Sequence, residues 1–255
     1  MSRAFKVGDL DVRVFDDVRD MAESAAADAA TALRAAIAER GAAHVMLATG
    51  NSQLVFLSAL VTYTDVDWSR VTAFHMDEYV GLAPTHSASF QRYMRERVAS
   101  ILPLREFHYL TGDTGDAPAE AARYAGLLRA HPLDLCCCGI GENGHLAFND
   151  PPVADFEDPL DVKIVPLEPA SRRQQVAEGH FATIDEVPAD AITVTIPALL
   201  RAGRVLAIVP EARKAAPVRD ALRGPISTEC PASYLRTQPH ATLYLDAESA
   251  SLLPS

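Results

Sequence analysis

The stretch that most constrains this chain is a compact apolar run, Leu133 to Cys138, that empties into Gly139-Ile140-Gly141-Glu142-Asn143-Gly144-His145-Leu146-Ala147-Phe148-Asn149-Asp150. The run reads as a buried β-strand. The three glycines let the backbone turn tightly and approach a ligand closely, which a Cβ would hinder. An imidazole, His145, and a carboxylate, Asp150, follow at once. Open α/β sheets build their sites in this way, at the C-terminal ends of strands. The glycines also match G-x-G-x-x-G, but a dinucleotide site needs a helix that starts in the turn and runs on. Pro151-Pro152 arrives six residues after His145 and cannot continue a helix interior, which disfavours that reading. A plain tight turn would account for the glycines but not for His145 beside Asp150.

A chain of 255 residues with 49% hydrophobic content can bury a substantial core. No Gly/Ser-rich or charge-run linker divides it, so residues 1–255 are expected to form one domain. The net charge of −11 argues against nonspecific nucleic-acid binding, which needs a basic face. Anionic metabolites remain open, because they need only a local positive pocket. The segment Met1 to Lys6 lacks the apolar core of a signal peptide, and no apolar run is long enough to span a bilayer, so a cytoplasmic protein without a membrane partner is expected. Cys136, Cys137, Cys138 and Cys230 have neither disulfide-framework nor C-x-x-C spacing. Three consecutive cysteines in an apolar strand read as small core residues.

Along the chain, Val7 to Val14 alternates as a first strand, with Leu10, Val12 and Val14 on one face. Asp16 or Asp17 is placed to cap an alanine-rich helix, Met21 to Arg40, that Gly41 stops. Ala43 to Ala48 is a short strand leading into Thr49-Gly50-Asn51-Ser52 and a helix over Gln53 to Thr62. That step offers backbone N–H groups at a helix N-terminus, where anions are favoured, although an ordinary capped helix explains it equally well. Val71 to Phe74 is a strand ending in His75-Met76-Asp77-Glu78-Tyr79, a titratable cluster costly to bury without purpose. A solvated acidic loop is the bland alternative. His75, Asp77 and Glu78 are also potential metal ligands, but no regular ligand spacing supports a metal site. Ser87 to Val98 and Ala117 to Ala130 read as helices, Val153 to Asp161 as a surface loop, and Ser171 to Glu178 as a helix. Val162 to Val165, Ala191 to Ile196, Val205 to Val209 and Ala241 to Leu245 read as strands, with a helix opened by Arg213-Lys214 running through Leu222. Strands alternating with helices predict an α/β fold with a mostly parallel sheet covered on both faces.

Taken together, Phe74-His75-Met76-Asp77-Glu78-Tyr79-Val80-Gly81-Leu82, the Gly139-to-Asp150 stretch, the Thr49-Gly50 turn, Arg213-Lys214, Gly224-Pro225-Ile226 and Pro231-Ala232-Ser233 resemble the glucosamine-6-phosphate deaminase (isomerase) family. The resemblance implies a Rossmann-like sheet and conversion of an amino-sugar phosphate to a ketose phosphate plus ammonia, with no metal and no organic cofactor. It makes Asp77 the general base that moves a proton between C2 and C1 of the open-chain sugar. It makes His145 the imidazole that helps open the ring, and Asp150, where many members carry Glu, the carboxylate that orients it. Asn143 stands where some members carry Asp. Thr49, Gly50, Asn51 and Ser52, with Gly141 and Lys214, match substrate and phosphate contacts. The residue types suit the chemistry. A C–H beside a carbonyl or imine needs a positioned carboxylate, ring opening needs a proton shuttle near neutrality, and a phosphate suits helix N–H groups plus a lysine.

The sequence departs from the family pattern in two places. Members with an arginine on the phosphate carry it where His180 aligns, leaving His180, Arg172 or Arg173 to take its part. Members activated by an N-acetylated sugar phosphate carry a serine and an Arg-x-Lys where this chain has Val153 and Asp161-Val162-Lys163. A 6-phosphogluconolactonase is the nearest rival and shares the Gly-His turn, but it fits Ala147 to Asp150 and Asp77 to Tyr79 less well. A sugar-phosphate-sensing domain of a transcription regulator would need a DNA-binding module, for which no basic patch appears before Val7. The expected partner is a small-molecule amino-sugar phosphate, and homo-oligomerisation is left open.

Overall fold

Helix α1 (Val18–Arg40) shows how local signals set the elements. Asp17 accepts the amides of Arg19 and Asp20 as N-cap, and Gly41, at φ 77°, ends the helix by donating to the Ile37 carbonyl. The computed structural model describes residues 3–254. Met1 and Ser2, which begin the segment expected to lack a leader, lie outside the described residues, as does Ser255.

The expected first strand is two. β1 (Arg3–Val7) and β2 (Leu10–Val14) form an antiparallel hairpin whose turn places Gly8 at φ 61°. Leu10, Val12 and Val14 do share the buried face. The chain continues through β3 (Ala43–Leu47), α2 (Leu54–Leu60), β4 (Val71–His75), β5 (Asp77–Tyr79), α3 (Phe90–Met94) and β6 (Glu106–His108). Next come α4 (Ala117–Ala130), β7 (Leu135–Cys138), β8 (Val162–Pro166), α5 (Pro169–Ala177) and β9 (Asp190–Val194). Last come α6 (Ile196–Leu200), β10 (Arg204–Val209), α7 (Ala215–Arg223) and β11 (Ala241–Leu245). Helix α2 is shorter than read, because Asn51–Gln53 winds as a 3₁₀ turn. β6 and α6 are too short to carry a readable period.

The main sheet has the order β1-β2-β11-β10-β7-β3-β4-β6, and all its pairings beyond the hairpin are parallel. Its central strand, β7, is buried on both faces. Cys136 and Cys138 join the core beneath α4, α6 and α7, while Cys137 joins the one beneath α1 and α2. All three are free thiols. The sheet is therefore mostly parallel with helices on both faces, the Rossmann-like arrangement. A feature not legible in the sequence is a second, antiparallel sheet, β5-β9-β8, beside the C-terminal ends of the main strands. Among the described residues no helix is long and apolar enough to cross a membrane.

Candidate active site

The strand order reverses between β3 and β7, from which the chain proceeds outward in opposite directions. A crevice opens at such a point beyond the strand C-termini. Here the turns after β3, β4, β7 and β10 converge on one cavity, lined by Thr49, Gly50, Ser52, Asp77, Gly141, His145 and Lys214 among others.

Asp77 arrives from β4, after which the chain crosses into the small sheet and Asp77 pairs with Thr193 of β9. The His75-to-Tyr79 run is thus buried, not a solvated loop. The three potential metal ligands diverge. His75 accepts the Leu110 amide on Nε2 at 2.9 Å and sits beside Phe107, Tyr109 and Tyr124, and burial lowers its pKa to about 3. Glu78 accepts the Ser89 hydroxyl and the amides of Tyr79, Phe90 and Gln91, which ties it to the start of α3. Asp77 faces the cavity. It is 6% exposed, and among the described residues its Oδ1 has no hydrogen-bond partner. Burial first, then the charges of Glu78 and Asp150, push its carboxyl well above the usual range. A buried carboxylate without donors is a strong proton acceptor.

His145 and Asp150 pair directly, Nδ1 to Oδ1 at 2.8 Å, although Asp150 is one methylene shorter than Glu. Gly141 makes room for the imidazole: a Cβ there would lie 2.2 Å from the ring atoms Cε1 and Nε2. Asp150 Oδ1 also accepts the Ser171 hydroxyl at 2.6 Å and the Asn143 amide at 2.9 Å. Burial alone would raise this carboxyl. The hydrogen bond and charge of His145, with the bonds from Ser171 and Asn143, overcome that and hold it at about 2. Asn143 donates as well to Glu168 Oε2 at 2.8 Å, and its own oxygen accepts the His145 amide. A carboxylate therefore stands beside the position where family resemblance places an acid, supplied by Glu168 from the residue before α5.

Opposite lies the turn after β3, with Gly50 at φ 101°, a conformation few side chains tolerate. Lys214 reaches the cavity from the 3₁₀ turn Ala212–Lys214 after β10 and is 3% exposed. Burial and the charge of Arg213 lower its pKa, and among the described residues no hydrogen bond or ion pair engages its Nζ. One sequence expectation meets a different placement here, and for Asn51 only the backbone is left to take part. His180 does not line the cavity: its Nε2 lies 3.3 Å from Glu178 Oε2, because Gly179, at φ 80°, turns the chain after α5. Asn51 is exposed and reaches the Glu178 carbonyl with its side chain at 3.5 Å, outside the cavity wall. Arg172 is spent on the carbonyls of Ile184 and Val187, and exposed Arg173 is likewise absent from the cavity lining.

The family model described as glucosamine-6-phosphate isomerases/6-phosphogluconolactonase matches residues 16–244. The chain belongs to this family. The curated glucosamine-6-phosphate deaminase of Exiguobacterium sibiricum is 36% identical over 188 residues, covering 74% of this chain and 73% of that one. The one from Listeria innocua is 36% identical over 207 residues, 81% and 86% of the two chains. A solved monomeric glucosamine-6-phosphate deaminase superposes with a TM-score of 0.86 at 29% identity, covering 94% of this chain and 99% of its own. The 6-phosphogluconolactonase of Trypanosoma brucei, with a TM-score of 0.76 at 15% identity, shares the fold.

Within this glucosamine-6-phosphate isomerase fold, the side chains that sequence reading missed come mainly from α5 and its flanks. Ser171 and Glu168 hold Asp150 and Asn143, while Gln174, Gln175 and Glu178 form part of the cavity wall. Ordinary polar residues on a short helix carry no motif. Only the three-dimensional course of the chain brings them over the site.

Proposed function

We propose that this chain is an isomerising amino-sugar-phosphate deaminase that converts glucosamine 6-phosphate to fructose 6-phosphate and ammonia. The observation that carries this reading is an unpaired buried carboxylate, Asp77, in one cavity with the His145–Asp150 pair and the free ammonium of Lys214. The Thr49-to-Ser52 turn and Lys214 take the phosphate. His145, oriented by Asp150, shuttles the proton that opens the pyranose ring. Asp77 then removes the C2 proton and returns it to C1, leaving an imine at C2. Water adds to that carbon and ammonia departs, so the single hydrolytic event is loss of the C–N bond. The named chemistry needs a base, a shuttle and an anion site, and no metal or organic cofactor. Relatives named glucosamine-6-phosphate deaminase support it over a lactonase, whose structural likeness lies below 25% identity and bears on the fold alone.

An ammonia-release assay over amino-sugar phosphates, with 6-phosphogluconolactone as the competing substrate, tests the reaction. Lactone hydrolysis without ammonia release overturns it. Lys214→Ala should weaken phosphate recognition by roughly 1.5–3 kcal/mol, the range for a charge-assisted hydrogen bond, and should do little with a non-phosphorylated amino sugar. Equal losses with both would remove Lys214 from the phosphate site.

Regulation by N-acetylglucosamine 6-phosphate is not expected. Asp161 is held by Arg129 and Arg201, and Lys163 pairs with Asp158 at 2.8 Å and donates to the Val153 carbonyl, so these charges are already engaged within the chain. A saturation curve for glucosamine 6-phosphate should not move when that compound is added, and a clear leftward shift would contradict this.

A further inference from the structure

Glu178, the residue that ends α5, lines the same cavity as Lys214 and the Thr49-Gly50 turn, yet it is an acid where an anion is to be bound. Its side chain is 5% exposed. Arg213 donates to Oε1 at 2.6 Å, Gln174 donates to the same oxygen at 2.9 Å, and His180 Nε2 lies 3.3 Å from Oε2. Burial would raise this carboxyl, but the nearby His180 imidazole, the Gln174 hydrogen bond and the charge and bond of Arg213 hold it at about 2, so it is charged at any working pH. Arg213 is otherwise bound by Glu211 at 2.6 Å and Glu142 at 3.3 Å. It is thus a cation saturated by the chain's own acids, itself outside the cavity lining but bound to the Glu178 that lines it and one residue from Lys214. The cavity holds about 80 Å³ of free space, well under the ~300 Å³ at the small end of ligand pockets.

We propose that Glu178 is a built-in competitor of the substrate phosphate: its carboxylate occupies the Arg213 socket, and an arriving phosphate displaces it and takes the guanidinium. This rests on the reading of the cavity as a sugar-phosphate site and adds the specificity device to it. A carboxylate offers two oxygens and one charge, whereas a phosphate offers three oxygens and up to two charges, so phosphate can bridge Arg213 and Lys214 together. A neutral sugar lacks the charge to expel Glu178. The device therefore favours phosphorylated over plain amino sugars, and Arg213 supplies the guanidinium that the chain lacks at position 180. Gly179, free of a Cβ and at φ 80°, gives the chain a pivot directly after Glu178.

The test uses the full chain at constant ionic strength, with inorganic phosphate as the calorimetric probe and glucosamine 6-phosphate as the kinetic one. Glu178→Gln keeps the shape and removes the competing charge. It should tighten phosphate binding and lower KM for the sugar phosphate, each by about 5–10-fold, the scale of one charge-assisted contact in a partly hydrated site. In an Arg213→Ala background the same change should bring no gain. A structural brace would not improve binding when cut, so unchanged or weaker phosphate binding in Glu178→Gln overturns the proposal while leaving the phosphate site intact. If neither wild type nor Glu178→Gln binds phosphate and Lys214→Ala changes nothing, the sugar-phosphate reading falls and this proposal falls with it.

Discussion

Asp77 and Asp150 are two buried aspartates facing one cavity, and the protein treats them in opposite ways. Asp77 sits at the crossing from β4 to β5 with an oxygen that nothing bonds, and its proton affinity is raised. Asp150 ends the glycine turn, receives His145, Ser171 and Asn143, and is held at about 2. Burial penalises both charges, and the number of donors decides the sign. Splitting two like groups in this way fits the roles proposed above, in which the bare one accepts a proton and the bonded one stays charged and orients its imidazole.

The largest test of that contrast is Asp77→Asn, which keeps the shape and removes the acceptor. Ammonia release should fall by at least ~10²-fold. The fold should gain stability, because the variant no longer buries a carboxyl without donors. Since the folded pKa of Asp77 lies above the unfolded value, its cost grows as pH rises past about 3.8 and is absent below that. The gain should therefore appear in melts at neutral pH and fade in acid. Full turnover in this variant would remove Asp77 from the chemistry.

Asp150→Asn should do the reverse to stability. A carboxyl at about 2 in the fold and 3.8 unfolded contributes ~2 kcal/mol above pH 3.8, lost as pH falls from there to about 2. Urea melts at neutral pH should show the variant weaker by about that amount, with the two proteins converging in acid. Ammonia release should drop as well, since the imidazole loses its orienting partner. An unchanged rate and an unchanged melt would break the pairing with His145, and Glu142 would become the residue to examine.

Ser171→Ala is the smallest change and the sharpest. It removes one of three donors to Oδ1 and should cost ~1 kcal/mol. The acid loss of stability should still begin near 3.8 but be smaller and finish at higher pH, moving Asp150 part of the way toward Asp77. If α5 only covers the site, the acid limb stays where it is.

Much of this was legible in the chain. The caps Asp17 and Gly41, the helix Ala117–Ala130 and the buried β7 follow from propensity, capping chemistry and apolar runs, all written within a few consecutive residues. The two site motifs were legible because tight turns demand glycine and the chemistry demands particular titratable types. Hidden from the sequence were the hairpin β1–β2, the antiparallel sheet β5-β9-β8 and the work of α5. Their partners are far apart in the chain: Asp77 meets Thr193, and Ser171 meets Asp150. Local sequence determined which groups are present and which turns present them. Tertiary structure alone decided how many donors each carboxylate receives, and so which aspartate has its proton affinity raised, which is held as an anion beside the imidazole, and that Glu178 rather than His180 stands at the cavity wall. A carboxylate's proton affinity depends on the charges and dipoles within a few ångströms, and those are set by packing rather than by sequence neighbours.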